Sequence, residues 1–198
     1  MPHYYTNDEG ISDPSILTFN YKGHKITLKS DHGVFSRNRV DYGSRVLLDT
    51  VSLDGVSKLL DVGCGYGPMG ISLKMSQFDV LVDMIDINKR AVGLANEGIE
   101  LNHLTGIKAY VSDRYEAVND TYDLIVSNPP IRAGKDVVSA IISESVHYLN
   151  TNGRLVIVIQ KKQGAPSAKK LMETTFGNVE ILKRDKGYYI LQSKKNTA

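Results

Sequence analysis

The 198-residue chain has a single cysteine, Cys64, so it cannot form an internal disulfide, and a reducing compartment suits it. It lacks any apolar run near the roughly 20 residues that span a bilayer. The most continuous run, Leu155 to Ile159, is far shorter, and the opening MPHYYTND is polar. A cytoplasmic location without membrane contact is expected. Five histidines, His3, His24, His32, His103 and His147, fall without metal-ligand spacing, so no metal site is expected. Low-complexity tracts and internal repeats are missing too, and 41% hydrophobic residues leave disorder without support.

The length fits one domain, since a core reaches a comfortable size at roughly 100–200 residues. Residues 1–44 are expected to form an N-terminal hairpin and covering segment, and residues 45–198 the core. Net charge is only +2, but it is unevenly spread. From Arg154 onward ten Lys/Arg face three Asp/Glu, while the preceding part is net acidic. Such polarity suits a phosphate-bearing partner on one side of the molecule. A solvated helix face with a basic tail has the same composition.

Ile16 to Lys29 alternates apolar and polar residues around Lys22-Gly23-His24, the pattern of an antiparallel hairpin. Arg45 to Leu53 reads as a helix. From Lys58, short apolar runs alternate with helical stretches, as in buried parallel strands joined by crossover helices. Expected strands are Lys58–Val62, Val80–Ile85, Ile107–Val111, Asp123–Ser127 and Arg154–Gln160. Lys135–Leu149 reads as an amphipathic helix ending before Asn152-Gly153, and Ala165–Phe176 as another. Asn178–Lys183 and Tyr188–Gln192, joined by a tight Asp185-Lys186-Gly187 turn, can pair only antiparallel. The expected fold is α/β and Rossmann-like. Its seven-stranded sheet is mostly parallel with an antiparallel C-terminal hairpin, helices on both faces and a short N-terminal β-hairpin.

The strongest local feature is Leu60-Asp61-Val62-Gly63-Cys64-Gly65-Tyr66-Gly67-Pro68-Met69-Gly70, a strand entering closely spaced glycines and then a helix that tolerates Pro68 in its first turn. Gly65, Gly67 and Gly70 satisfy the dinucleotide pattern G-x-G-x-x-G, which alone is weak. Asp61 tilts the choice, because a carboxylate there repels a pyrophosphate but pairs with the ammonium of an amino-acid-like ligand. Gly63-x-Gly65-x-Gly67 also starts one glycine step early for a phosphate loop. The loop therefore favours S-adenosylmethionine over NAD. Asp86, closing the second strand, suits the ribose hydroxyls of any adenosine ligand. Asp83 competes but lies inside the apolar run. Asp113 either accepts the adenine amino group or simply caps a helix.

Ser127-Asn128-Pro129-Pro130-Ile131-Arg132 follows the fourth strand, at the edge where open α/β sheets bind ligands. The prolines fix the backbone, so the Asn128 amide is held in one orientation. An exocyclic base amine is a poor nucleophile because its lone pair is delocalised into the ring. Accepting its N–H bonds with the Asn128 amide oxygen and the Pro129 carbonyl favours an attack-ready nitrogen. Asp61 and Asn128 are expected to face one crevice, and no general base is evident nearby in sequence.

With these motifs in place, the chain resembles the small-methyltransferase-domain family of class I S-adenosylmethionine-dependent enzymes. It looks closest to ribosomal RNA small-subunit guanine-N2 methyltransferases in a single-domain form. The segments Ser30-Asp31-His32-Gly33-Val34-Phe35-Ser36 and Asp41-Tyr42-Gly43-Ser44-Arg45 carry the resemblance along with the glycine and Asn-Pro-Pro loops. The resemblance implies S-adenosylmethionine held by Asp61, Gly63, Cys64, Gly65, Gly67, Asp86, Ile87, Asp113 and Asn128. It implies that Asn128, Pro129 and Pro130 are catalytic, and that Phe35, Ile131, Arg132, Lys161 and Lys162 contact substrate. Ribosomal RNA or the small subunit is the implied partner. Ile131 departs from the aromatic residue that commonly follows the two prolines, so base stacking must come from elsewhere. Adenine N6 or a protein glutamine amide are alternative acceptors. An NAD-dependent oxidoreductase and a non-catalytic RNA-binding module are the readings from other classes.

Overall fold

The computed structural model describes residues 12–32, 34 and 39–197. Strands β1 (Ser15–Tyr21) and β2 (His24–Ser30) form the expected hairpin, with Lys22 and Gly23 both at positive φ in the two-residue turn. Ile26 and Leu28 of β2 are fully buried in one core cluster with residues of α2 (Pro68–Ser76) and α3 (Lys89–Leu101). A polar clasp fixes the hairpin: Asn102 donates to the Thr27 carbonyl at 2.7 Å and accepts from its N–H at 3.1 Å.

The main sheet contains β3 (Lys58–Val62), β4 (Leu81–Asp86), β5 (Ile107–Val111), β6 (Tyr122–Ser127), β7 (Leu149–Gln160), β8 (Glu180–Asp185) and β9 (Tyr188–Lys194). Its order is β5-β4-β3-β6-β7-β9-β8. The first five are parallel, and β9 is antiparallel to both β7 and β8. The C-terminal hairpin thus enters with its last strand innermost.

Alternation along the strands sorts side chains onto two cores. Leu59, Val82, Met84, Leu124, Val126, Val156 and Val158 point to one, which is shared with α1 (Tyr42–Thr50), α2, α3 and the hairpin. Leu60, Ile85, Ile125, Leu155, Ile157 and Leu191 point to the other, under α4 (Lys135–Glu144) and α5 (Ala165–Phe176). Each fully buried aliphatic side chain contributes about 1.5–3 kcal/mol of transfer free energy. Strands buried on both faces read as continuous apolar runs for this reason.

Several boundaries differ from expectation. Helix α1 starts at Tyr42 because the Asp41 side chain caps the Ser44 N–H, and it stops at Thr50. The break at residue 44 therefore falls inside a helix. Strand β4 begins at Leu81 rather than Val80. Helix α4 ends at Glu144 and gives way to a 3-10 turn, Ser145–Tyr148. Asn152-Gly153, read as a helix stop, lies in an irregularity inside β7: Leu149 pairs with Tyr122, but the next partners are Arg154 and Leu124. Lys195 holds this bulge, its carbonyl accepting from the Asn152 N–H at 2.7 Å and its N–H donating to the Gly153 carbonyl at 2.8 Å. Strand β8 is shifted to Glu180–Asp185, and β9 runs on to Lys194.

Candidate active site

The chain passes from β3 through α2 to β4 on one side, and later returns to lay β6 on the other. The carboxyl end of β3 is therefore the switch point where an open parallel sheet leaves a crevice. The glycine loop fills its floor. The N–H groups of Gly63 and Cys64 both donate to the Ile85 carbonyl at 2.9 Å, and the Gly65 N–H donates to Asp86 Oδ2 at 2.9 Å. Gly63 and Gly65 adopt φ of +71° and +58°, a region an L side chain enters only at a cost. The end of β6 is pinned beside them by the Ser127 hydroxyl, which donates to the Val62 carbonyl at 2.7 Å.

Two cavities flank this point. The larger, about 350 Å³, is bounded by Asp41, Ser44, Gly63–Tyr66, Asn128–Arg132, Gln160, Gln163 and Tyr188. The smaller, about 220 Å³, is bounded by Asp86, Ile87, Asp113, Arg114, Ala133, Val137 and Ile141. Gly63 and Pro130 border both. A Cβ on Gly63 would stand 3.6 Å from the Pro130 ring, so these two residues form the neck between the cavities.

Asn128 lines the larger cavity, and its orientation is fixed by its partners. Its Nδ2 donates to Asp41 Oδ2 at 2.9 Å and to Ser44 Oγ at 3.1 Å. A carboxylate only accepts, so the amide nitrogen must face Asp41, and Oδ1 is left for a ligand donor. Asp41 thereby does two things, capping α1 and holding Asn128. Both partners lie in the Asp41-to-Arg45 segment, 87 and 84 positions from Asn128, a pairing with no local signature.

Asp61 is placed differently from expectation. It is fully buried behind the glycine loop and borders neither cavity. Its Oδ2 accepts from the Gly70 N–H at 3.0 Å, and its Oδ1 is buried with no hydrogen-bond partner among the described residues. Burial pushes its carboxyl up to about 7, opposed by the Gly70 N–H and reinforced by the charge of Asp86. An unsatisfied buried acceptor costs about 1–3 kcal/mol, a cost that a cationic ligand group can remove. The neighbouring Cys64 thiol is pushed well above its usual range by burial, which makes it a packing group rather than a nucleophile.

Asp86 is nearly buried at the edge of the smaller cavity, its two oxygens accepting from the Gly65 and Asn88 N–H groups. Ile87 is partly exposed there and offers an apolar wall. Asp113 also borders this cavity, with Arg114 Nε donating to its carboxylate at 3.0 Å. The competing Asp83 is a core group whose Oδ2 accepts from the Tyr122 hydroxyl at 2.5 Å. Gly67 borders neither cavity: at φ +95° it begins α2, and a Cβ there would fall 2.9 Å from Ile71 Cδ1. Its glycine character serves helix-to-sheet packing.

Of the substrate residues, Ile131 and Arg132 border the larger cavity. Lys161 and Lys162 do not; they are exposed on a 3-10 turn, Lys161–Gln163, just beyond β7. Phe35 lies outside the described residues. Sequence reasoning missed Gln160 and Gln163, at the end of β7 and on the turn after it, and Tyr188, which reaches the cavity because β9 inserts beside β7. Among the described residues no cluster of His, Cys, Asp or Glu could hold a metal ion, and no helix is long and apolar enough to cross a membrane.

A family model described as methyltransferase small domain matches residues 25–192. The uncharacterized protein YbxB of Bacillus subtilis is 46% identical over 197 residues, covering 98% of each chain. Ribosomal RNA small subunit methyltransferase C of Vibrio parahaemolyticus is 32% identical over 176 residues, covering 86% of this chain and 50% of that enzyme. Among solved structures, the 16S rRNA N2 G1207 methyltransferase RsmC of T. thermophilus, in complex with AdoMet and guanosine, superposes with a TM-score of 0.83 at 27% identity. That match covers 92% of this chain and 50% of the other. The chain thus spans about half the length of these two enzymes.

Proposed function

Since the chain belongs to the methyltransferase small domain family, we propose that it transfers the methyl group of S-adenosylmethionine to an exocyclic base amine of RNA, guanine N2 of small-subunit ribosomal RNA. The observation that carries this reading is the clamped Asn128 amide, whose two N–H groups are held by Asp41 and Ser44 on the wall of the larger cavity. Family membership sets aside the NAD-dependent oxidoreductase reading, and Asp61 has the wrong charge for a pyrophosphate.

The donor fits the residues present. The unpartnered Asp61 Oδ1 suits its ammonium group, Asp86 its ribose hydroxyls, and Asp113 with Ile87 its adenine. The Gly63–Pro130 neck then separates a donor side from an acceptor side. The donor supplies an electrophilic methyl on a sulfonium. Asn128 Oδ1 and the Pro129 carbonyl accept the two N–H bonds of the target amine and turn its lone pair toward the neck. The donor, when bound, would give its methyl to that lone pair and keep the C–S electron pair as a neutral thioether. Asp41, the one carboxylate bordering the acceptor cavity among the described residues, takes the proton shed by the alkylated nitrogen.

Lys161, Lys162 and the exposed Lys169 and Lys170 on α5 contact phosphates of the RNA. The 198 residues act as one domain in the cytoplasm. The test is transfer of labelled methyl to small-subunit RNA, followed by mass mapping of the modified nucleotide. Asn128→Ala is expected to lower kcat at least a hundredfold, with S-adenosylhomocysteine affinity within about threefold of wild type. Label appearing only in protein, or an Asn128→Ala variant with wild-type turnover, overturns the proposal.

A further inference from the structure

We propose that Tyr188, supported by Gln160 and Gln163, reads the acceptor base and supplies the aromatic contact that Ile131 does not. The inference rests on the methyltransferase reading above and names the specificity element of that site.

The acceptor cavity continues beyond Asn128 along the carboxyl edge of β7, past Val158, Ile159 and Gln160, to the first residue of β9. There Tyr188 lies opposite Gln160 in the antiparallel register. Its ring is held from two sides. The Gly43 backbone presses against it, so that a Cβ at position 43 would fall 2.8 Å from Tyr188 Cε1, and the Tyr42 ring packs at a tilt with centroids 5.6 Å apart. Gln160 Nε2 donates to the Tyr188 hydroxyl at 2.7 Å. A ring so confined is ordered before the ligand arrives, which spares the entropy of fixing it on binding.

The polar atoms decide which base fits. A tyrosine hydroxyl that accepts from Gln160 keeps its own hydrogen to donate. Gln163, on the turn after β7, brings an amide with both donor and acceptor to the same wall. Guanine with N2 at Asn128 presents the N1 hydrogen next to the reacting amine and the O6 acceptor one position further. Adenine with N6 at Asn128 presents acceptors on both flanks and no carbonyl. A donor beside an amide acceptor therefore matches guanine. The flat ring suits a base taken out of its stack, which a glutamine side chain from a protein acceptor would not exploit. Tyr188 does not border the donor cavity, so its effect is confined to the acceptor.

The experiment compares wild type with Tyr188→Phe, Tyr188→Ala and Gln163→Ala in two assays, methyl transfer to small-subunit RNA and binding of guanosine against adenosine in saturating S-adenosylhomocysteine. Tyr188→Phe keeps the packing and is expected to lower kcat/KM about tenfold, as one lost hydrogen bond does. Tyr188→Ala should lower it by about thirtyfold or more. Gln163→Ala should narrow the preference for guanosine over adenosine, and S-adenosylhomocysteine affinity should stay unchanged throughout. Unaltered kcat/KM and unaltered guanosine binding in both Tyr188 variants overturn the inference. Should wild type modify a different acceptor, the guanine assignment fails by that result alone, while the effect of Tyr188→Ala on that acceptor's KM still decides whether this wall reads it.

Discussion

Asp61→Asn removes one charge without changing shape, and the structure gives the size of the consequence. Burial raises the Asp61 carboxyl from 3.8 in the unfolded chain to about 7 in the folded protein. For an acid so shifted, the protonated folded form is favoured at low pH. Its contribution to stability is complete below the unfolded value of 3.8 and is lost as pH rises through the folded value near 7. Between pH 5 and pH 8 the unfolded chain has already released this proton and the folded chain has not until about pH 7. At about 1.4 kcal/mol per unit, wild type loses about 3 kcal/mol over that window. Asparagine does not titrate, and groups that do not interact with Asp61 cancel in the difference. The advantage of the ligand-free variant over wild type should therefore grow by about 3 kcal/mol between pH 5 and pH 8, roughly 6–12 °C in Tm for a chain of this size. Urea denaturation at four pH values measures this directly. On the proposed donor role of Asp61, the same variant should also lose at least a hundredfold in S-adenosylhomocysteine affinity by calorimetry, since the ammonium would then lack its counter-charge. Parallel stability profiles for the two proteins, or a wild type that stays more stable at pH 8, would refute the reasoning.

Gly67→Ala should destabilise the protein by about 2–4 kcal/mol in urea, through a strained positive φ and a Cβ driven 2.9 Å from Ile71, while leaving donor affinity per folded molecule unchanged. A direct loss of donor affinity would instead return Gly67 to the binding surface. Lys161→Ala/Lys162→Ala should weaken binding to small-subunit RNA and reduce the slope of log K against log salt by about one to two, with activity on free guanosine unaltered; an unchanged slope would remove these lysines from the phosphate path.

The parallel half of the sheet was legible because its central strands are buried on both faces, so Leu124 to Val126 and Leu155 to Ile159 stand out as unbroken apolar runs. The local motifs were legible for a related reason: Gly63, Gly65, Asp86 and Asn128 each sit at a strand end, where a few adjacent residues define the backbone. What escaped depends on distant partners. Asn152-Gly153 signals a turn in any context, and only pairing with Lys195 makes it a bulge rather than a helix stop. Tyr188 looks like an ordinary strand aromatic until β9 is known to insert beside β7. Asp61 was expected to share a crevice with Asn128; it lies buried behind the glycine loop, where its Oδ2 accepts from the Gly70 N–H, a partner nine residues on that the strand pattern does not indicate.

The neck at Gly63 and Pro130 divides labour between strands that do not touch. The groups proposed to hold adenosine sit on β4 and in the turns after β4 and β5, whereas those proposed to choose what is alkylated come from β7, the turn after it and β9. A lineage can therefore exchange targets by altering the last third of the polypeptide while its fuel-handling half stays as it was, provided no side chain grows into the gap between them.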